Sequence, residues 1–141
     1  MVRRSSQLSS MLRVYESTKT IVVKNKPLCS LKAVAADADT EDGANPSMVL
    51  FDELHRQKKR DLWDVLRRGM STRLQPLLVA ITTAGIRSEA PLCWELHDLA
   101  LKIRKGIFQN PGFQPIVYHL DETEDWQDER NWLKQFTGQY L

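Results

Sequence analysis

The sequence has few of the features that would place it among disulfide-rich, zinc-binding or membrane proteins. Its only two cysteines, Cys29 and Cys93, are too few and too far apart to support a disulfide framework or a zinc site. No apolar stretch approaches the roughly 20 residues that a membrane-spanning helix requires. A secretory leader is not recognisable either. We therefore expect a soluble protein in the reducing cytoplasm.

Neither sign of charge dominates the chain, since 20 lysines and arginines face 18 aspartates and glutamates. The global balance therefore does not indicate a nucleic-acid binder, and 141 residues allow one domain with a real core. Local charge is more informative, because residues 56–73 are mainly basic and residues 121–129 are acidic. Lys58, Lys59, Arg67 and Arg68, predicted on the basic face of a helix that follows Glu53, are candidate ligands of DNA phosphates, the alternative being an ordinary solvated surface.

Two apolar runs are each followed by polar residues whose side chains could take part in catalysis or ligand binding. Met48–Phe51 leads into Asp52 and Glu53, and Leu77–Ile81 leads into the sequence Thr-Thr-Ala-Gly. Unbroken apolar runs are typical of parallel strands buried on both faces. Because ligands of open parallel sheets bind beyond the carboxyl ends of the strands, both polar segments are predicted to border one cleft.

The remaining pattern predicts alternating strands and helices. The predicted elements are a helix over Leu8–Tyr15, a hairpin of Thr20–Val23 and Leu28–Ala35, a helix with Leu62, Val65, Leu66 and Met70 buried, a helix from Leu92 to Ile107 that stops before Asn110, a strand at Ile116–Tyr118, and a helix over Asp128–Phe136. A polar loop with Asp37, Asp39, Glu41 and Asp42 precedes the first core strand. This order predicts a three-layer α/β fold with a parallel sheet and right-handed crossovers.

The polar segments fit nucleotide hydrolysis. Asp52 is predicted to hold Mg²⁺ and Glu53 to orient or deprotonate the attacking water. Thr82, Thr83 and Gly85 are predicted to sense the γ-phosphate. In the alternative interpretation the acids only cap a helix and the threonines only bond to local backbone.

The histidines and tryptophans carry weaker signals. His55 lies two residues after Glu53 and is either a further sensor or a polar group at a helix start. His97 and His119 have no partners at metal-ligand spacing and are predicted to be structural. The four tryptophans, Trp63, Trp94, Trp126 and Trp132, are predicted to be packing anchors.

These motifs together resemble the large terminase subunit of tailed bacteriophages. The resemblance is most specific between Gly43 and Gly85, in the segments Gly-Ala-Asn-Pro-Ser, Val-Leu-Phe-Asp-Glu-Leu-His and Ala-Ile-Thr-Thr-Ala-Gly. It continues through the helix at Leu96-His97 into the acidic and aromatic residues after Tyr118, and so covers nearly the whole chain.

The resemblance implies an ATP-driven motor that packages viral DNA into capsids. Asp52 would match the Walker B magnesium position, Glu53 the catalytic carboxylate, and Thr82 with Thr83 the motif that couples hydrolysis to DNA movement. Its implied cofactors are ATP and Mg²⁺, and its implied partners are double-stranded phage DNA, the small terminase subunit and the capsid portal. Residues 1–118 would be part of an ATPase domain, and residues 119–141 an acidic linker and helix leading towards a nuclease domain.

The sequence departs from the family pattern in one important respect. It contains no Gly-x-x-x-x-Gly-Lys-Ser/Thr phosphate-binding loop. We therefore expect an incomplete P-loop NTPase-like domain, inactive alone, from a split, truncated or prophage gene encoded in a bacterial host. A companion polypeptide with the N-terminal half would be a further partner, and no membrane association is expected.

Two alternative functions remain open from the sequence. Asp52-Glu53-Leu54-His55 also resembles the DExH box of helicases, although such helicases usually have Ser-Ala-Thr where this chain has Thr-Thr-Ala-Gly. The other alternative is a non-enzymatic prophage remnant that retains the sheet but not the activity.

Overall fold

The computed structural model describes residues 2–35, 43–83, 85–120 and 123–136, the last four without their side chains. The chain divides into two units, one of residues 1–51 with 59–79 and the other of residues 52–58 with 80–141. The acids predicted in the loop at 37–42 and at 121–122 lie outside the described residues. None of the helices in the described ranges has the length and hydropathy needed to cross a membrane.

The first unit begins with helix α1 (Ser6–Met11), followed by three antiparallel strands, β1 (Leu12–Tyr15), β2 (Thr20–Val23) and β3 (Lys26–Lys32). The Ser5 hydroxyl caps α1 by accepting a hydrogen bond from the Leu8 amide at 3.3 Å. The predicted hairpin of β2 and β3 is confirmed. The prediction of a helix up to Tyr15 is wrong, because residues 12–15 pair with β2 instead.

The same unit contains helix α2 (Asp61–Gly69) and most of the two strands of a small parallel sheet, β4 (Met48–Asp52) and β5 (Leu77–Ile81). The Leu77 amide donates to the Ser47 carbonyl at 3.1 Å. The predicted bounds of both strands agree with the structure to within one residue. The prediction that both strand faces are buried is wrong, because Val49 and Phe51 are buried while Met48 and Leu50 are 56% and 55% exposed.

Helix α2 packs its apolar side into the core of the first unit. Leu62, Trp63 and Leu66 are buried, and the rings of Phe51 and Trp63 lie 5.2 Å apart. Gly69 ends the helix against the loop before β4, where an added Cβ would overlap the Ala44 carbonyl oxygen. The prediction of an amphipathic helix here is confirmed, although Val65, predicted to be buried, is only half-buried.

The second unit is built around helix α3 (Pro91–Arg104). The helix ends earlier than predicted, because Gly106 has φ 68° and the amides of Gly106 and Ile107 bond back to the carbonyls of Ile103 and Lys102. Proline at the first helical position begins the helix where its missing amide hydrogen has no cost.

The segment after α3 differs from the prediction. Residues 113–120 form no strand in the described part of the chain, so the prediction for Ile116–Tyr118 is wrong. The Val117 carbonyl instead accepts a hydrogen bond from Arg104 at 3.3 Å. Helix α4 (Glu129–Phe136) confirms the prediction at this end of the chain, and the Asp128 carboxylate accepts from the Arg130 amide at 3.0 Å.

The tryptophans and histidines fit their predicted roles only in part. Trp63 is a packing anchor, but Trp126 and Trp132 are 68% and 47% exposed, so the packing prediction is wrong for these two. The rings of His97 and His119 lie 6.3 Å apart in an edge-on arrangement. Both cysteines are free, Cys29 exposed and Cys93 buried.

Candidate functional site

A tight turn after β4 determines where the two acids point. Asp52 is the exposed last residue of the strand, and Glu53 follows in the left-handed region with φ 55° and ψ 51°. This conformation costs a non-glycine residue about 1–2 kcal/mol. The chain then forms a short 3₁₀ helix, Leu54–Arg56, and Leu54 is only 2% exposed. Burial of Leu54 thus holds the turn while the acids on its N-terminal side remain accessible.

The end of β5 meets this turn through a threonine hydroxyl. Thr82 Oγ1 accepts a hydrogen bond from the His55 backbone amide at 3.0 Å and lies 3.1 Å from His55 Nδ1. The same hydroxyl donates to the Thr83 carbonyl at 2.9 Å. The segments that follow the two predicted strands are therefore in direct contact, although they are 27 residues apart in sequence.

His55 also contacts the acid on its own side of the turn. Its Nδ1 lies 3.0 Å from Glu53 Oε2, with the side chains of His55 and Glu53 26% and 48% exposed. Partly exposed pairs of this kind contribute about 0.2–1 kcal/mol to stability. The contact therefore matters more for the orientation of the Glu53 carboxylate than for the stability of the fold.

Gly85 is the predicted site residue whose role the structure explains most simply. A Cβ at this position would lie 2.8 Å from the His55 Cβ and 3.4 Å from the Ala90 Cβ. The first distance is too short for two carbon atoms, so only glycine lets the segment after β5 approach His55 without a shift of the backbone. Thr83 contributes its carbonyl, as the acceptor for Thr82, and is exposed.

Two residues of α3 support this segment and were not singled out by the sequence for that role. The Trp94 indole donates to the Gly85 carbonyl at 3.0 Å, and the Arg87 guanidinium lies 5.5 Å from the centre of the Trp94 ring. Cys93 Sγ lies 3.8 Å from Thr82 Oγ1. Their sequence distance from Gly85 matches no known motif. The contacts arise only because α3 packs against the segment that follows β5.

The four candidate DNA-contacting residues do not share one element. Arg67 and Arg68 are exposed in the last turn of α2 and line an open surface depression with Asp64 and Ser71. Lys58 and Lys59 are exposed but precede α2, which begins at Asp61. The prediction that they lie on the basic face of this helix is therefore wrong.

The end of β4 offers few ligands for the predicted magnesium ion. Among the described residues, no three histidine, cysteine, aspartate or glutamate side chains cluster closely enough to hold a metal ion. Magnesium in nucleotide sites is commonly held by one or two carboxylates together with substrate phosphates and water. A single exposed Asp52 carboxylate fits that arrangement and does not fit a site made of protein ligands alone.

Comparison with known proteins identifies the family. Residues 1–100 match the sequence model of the terminase large subunit, ATPase domain. The chain belongs to the terminase large subunit family. This agrees with the resemblance carried by the segments between Gly43 and Gly85.

One curated relative and one solved structure are similar to this terminase chain. Protein YmfN of Escherichia coli (strain K12) is 36% identical over 87 residues, which are 62% of this chain and 19% of that protein. The crystal structure of the HK97 bacteriophage large terminase matches with a TM-score of 0.72 and 21% identity, over 94% of this chain and 26% of that chain. The chain thus spans about a fifth and about a quarter of these two proteins, and the second likeness shows the fold.

Proposed function

We propose that this chain provides the hydrolytic and coupling elements of an ATP-driven motor that packages viral DNA. The observation that carries the proposal is the contact between the turn after β4 and the end of β5, where His55 touches both Glu53 and Thr82. In a nucleotide-hydrolysing sheet, the acid that activates water and the group that responds to phosphate loss need to be neighbours. Membership of the terminase large subunit family supports the same assignment.

In this proposal β4 is a Walker B strand of an incomplete three-layer P-loop NTPase sheet. Asp52 would hold Mg²⁺ together with the nucleotide phosphates, and the ion when bound would neutralise charge on them. Glu53 would accept a proton from the attacking water or orient it. Thr82, Thr83 and Gly85 would report the state of the γ-phosphate to the rest of the chain.

The proposed DNA partner would meet the exposed basic residues. Lys58, Lys59, Arg67 and Arg68 present positive charge without an aromatic or groove-reading motif, which suits contact with backbone phosphates rather than with base edges. The small terminase subunit and the capsid portal are further proposed partners, by membership of the family. The proposed location is the bacterial cytoplasm.

The experiment is a reconstituted ATPase assay with a matched pair of variants. By calorimetry, the chain alone should bind Mg·ATP negligibly, because these residues include no Walker A loop. A second polypeptide that carries a terminase Walker A loop should restore turnover. In that mixture Glu53→Gln should lower kcat by about 10²- to 10⁴-fold, the usual contribution of a general base. The exposed Glu89→Gln should leave kcat unchanged.

Three outcomes would contradict the proposal. If turnover is not restored, or if Glu53→Gln and Glu89→Gln behave alike, the hydrolytic role of Glu53 fails and the inactive-remnant interpretation gains. Unwinding of duplex DNA by the mixture, with no response to a capsid portal, would instead favour a DExH-type helicase.

A further inference from the structure

His55 is the residue through which the two polar segments of the candidate site meet. Its Nδ1 lies 3.0 Å from Glu53 Oε2 and 3.1 Å from Thr82 Oγ1, and its backbone amide bonds to the same hydroxyl. One partner of Nδ1 is the carboxylate of Glu53, and the other is the hydroxyl of Thr82. Whether Nδ1 carries a hydrogen therefore decides whether it can donate to both of them.

Counting hydrogens assigns that proton. The Thr82 hydroxyl has one hydrogen, for which the Thr83 carbonyl oxygen at 2.9 Å, which can only accept, is a better partner than Cys93 Sγ at 3.8 Å. Thr82 Oγ1 can therefore only accept from the His55 ring, and an ionised Glu53 carboxylate can only accept as well. Both neighbours of Nδ1 require an N–H, so a neutral His55 must carry its hydrogen on Nδ1 and share it between the two oxygens.

We propose that His55 is a positioning residue that orients the Glu53 carboxylate according to the placement of Thr82. The contacts of His55 with Glu53 and Thr82 do not depend on the proposed function, but their consequence for catalysis rests on the proposed function of Glu53. When Thr82 is in place, the shared hydrogen holds Glu53 Oε2 on the side of the segment after β5. A displacement of Thr82 removes the second anchor of the His55 ring, so that the ring and the Glu53 carboxylate bonded to it can turn together.

The backbone on both sides of His55 makes this link sensitive to small movements. Glu53 is in the left-handed conformation, so the direction of its side chain is set by a strained turn. Gly85 lies so close that an added Cβ would be 2.8 Å from the His55 Cβ. Trp94 in turn holds the Gly85 carbonyl at 3.0 Å from its indole nitrogen. A shift of α3 relative to Gly85 is thereby transmitted to His55.

The first test is spectroscopic and needs no enzymatic activity. The full chain, labelled with ¹⁵N-histidine, contains three histidines, and His55→Gln assigns the His55 signals. At a pH where ordinary imidazole is neutral, His55 should show the Nδ1–H tautomer, whereas free histidine favours Nε2–H. Thr82→Val should shift the signals of His55, and the matched variant Thr83→Val should not. A dominant Nε2–H tautomer, or equal responses to the two valine variants, would overturn the proposal.

The second test uses two substitutions that differ in where they place an N–H group. The side-chain amide of His55→Asn lies near the former Nδ1, and that of His55→Gln lies near the former Nε2. In the reconstituted ATPase, His55→Gln should lower kcat about tenfold or more with KM unchanged, because a misplacement near 1 Å can cost about 10²-fold in rate. His55→Asn should retain a kcat close to that of the parent, since the donor to Glu53 and Thr82 is kept.

The two tests separate this proposal from the proposed function. Equal kcat losses in His55→Asn and His55→Gln would overturn the positioning role even if Glu53-dependent turnover is present. If no turnover is restored at all, the function of Glu53 fails, and the tautomer of His55 still decides whether the link between Glu53 and Thr82 exists.

Discussion

The turn after β4 and helix α2 follow each other closely in the chain, yet they use polar side chains in different ways. In the turn, His55 bonds to Thr82, which is 27 residues away in sequence. Around the start of α2, Arg60 Nε bonds to Asp64 Oδ1 at 3.2 Å, a contact between residues one helical turn apart. In the last turn of α2, Arg67 and Arg68 are exposed to solvent.

In the turn after β4, polar contacts fix the positions of particular side chains. On the exposed side of α2, the polar residues supply positive charge without fixing a geometry. A contact between distant segments forms only when both backbones are already in place, so it ties a side chain to one position. A pair one helical turn apart forms in any copy of that helix and contributes only about 0.2–0.5 kcal/mol. Substitutions in the turn should therefore alter stability and orientation, and substitutions on the exposed face of α2 should alter only the attraction of anions.

The largest effect is expected from removing the core residue of the turn. Leu54→Ala should lower the free energy of unfolding by about 2–5 kcal/mol, because Leu54 is almost completely buried and the substitution leaves a cavity. Urea denaturation of the full chain measures the change. The control Leu74→Ala removes the same atoms from a fully exposed site and should change stability by less than about 0.5 kcal/mol. Equal losses would mean that Leu54 does not hold the turn.

A smaller loss is expected from crowding the contact between the turn and the segment after β5. Gly85→Ala should cost about 1–3 kcal/mol, the usual range for overpacking, since its Cβ would lie 2.8 Å from the His55 Cβ. It should also move the ring signals of His55 in the histidine spectrum. Gly112→Ala is the matched control, because its nearest neighbour would be the Asn110 side-chain oxygen at an ordinary 3.5 Å. Unchanged His55 signals in Gly85→Ala would contradict the close approach.

Substitutions in the last turn of α2 should have the smallest effect on the stability of the fold. They should instead affect the binding of DNA. Replacing Arg67 and Arg68 together by alanine should leave stability nearly unchanged and weaken binding to duplex DNA regardless of sequence. The slope of log K against log salt should fall in magnitude by about 0.9 for each phosphate contact that is lost. Fluorescence anisotropy across a salt series measures this slope.

The control for this measurement removes the same charge elsewhere. The control variant combines Arg3→Ala with Arg130→Ala. Arg3 pairs with Glu16 at 2.7 Å and Arg130 with Asp128 at 2.8 Å, so this variant leaves two carboxylates without those partners. If it reduces the salt slope as much as the α2 variant does, net charge rather than the face of α2 would account for DNA binding.

Much of the fold follows from local pattern. β4 and β5 are recognisable as apolar runs, α2 and α3 as helical repeats of apolar residues, and the β2–β3 hairpin as two short strands around a polar turn. These signals are local, because side-chain periodicity and turn residues act over a few positions. The family resemblance likewise depends on short motifs in and directly beside β4 and β5.

Two of the incorrect predictions share a physical cause, since they depend on distant parts of the chain. Leu12 and Tyr15 have helical spacing with Leu8 but pair with β2 instead. Ile116–Tyr118 has strand-forming residues but pairs with no neighbour in the described part of the chain. A third error has a local cause: Ile107 fits the repeat of α3, but the left-handed Gly106 just before it ends the helix first.

The sequence by itself determined the family, the terminase large subunit, and the candidate residues for the chemistry: two acids at the end of one strand, and two threonines and a glycine after the next. Only the tertiary structure decided that His55 joins them. A histidine near an acid has no fixed partner in sequence, because its role depends on which donor and acceptor groups the folded backbone brings within about 3 Å of its ring. Here the left-handed turn at Glu53 and the absence of a side chain at Gly85 allow that approach.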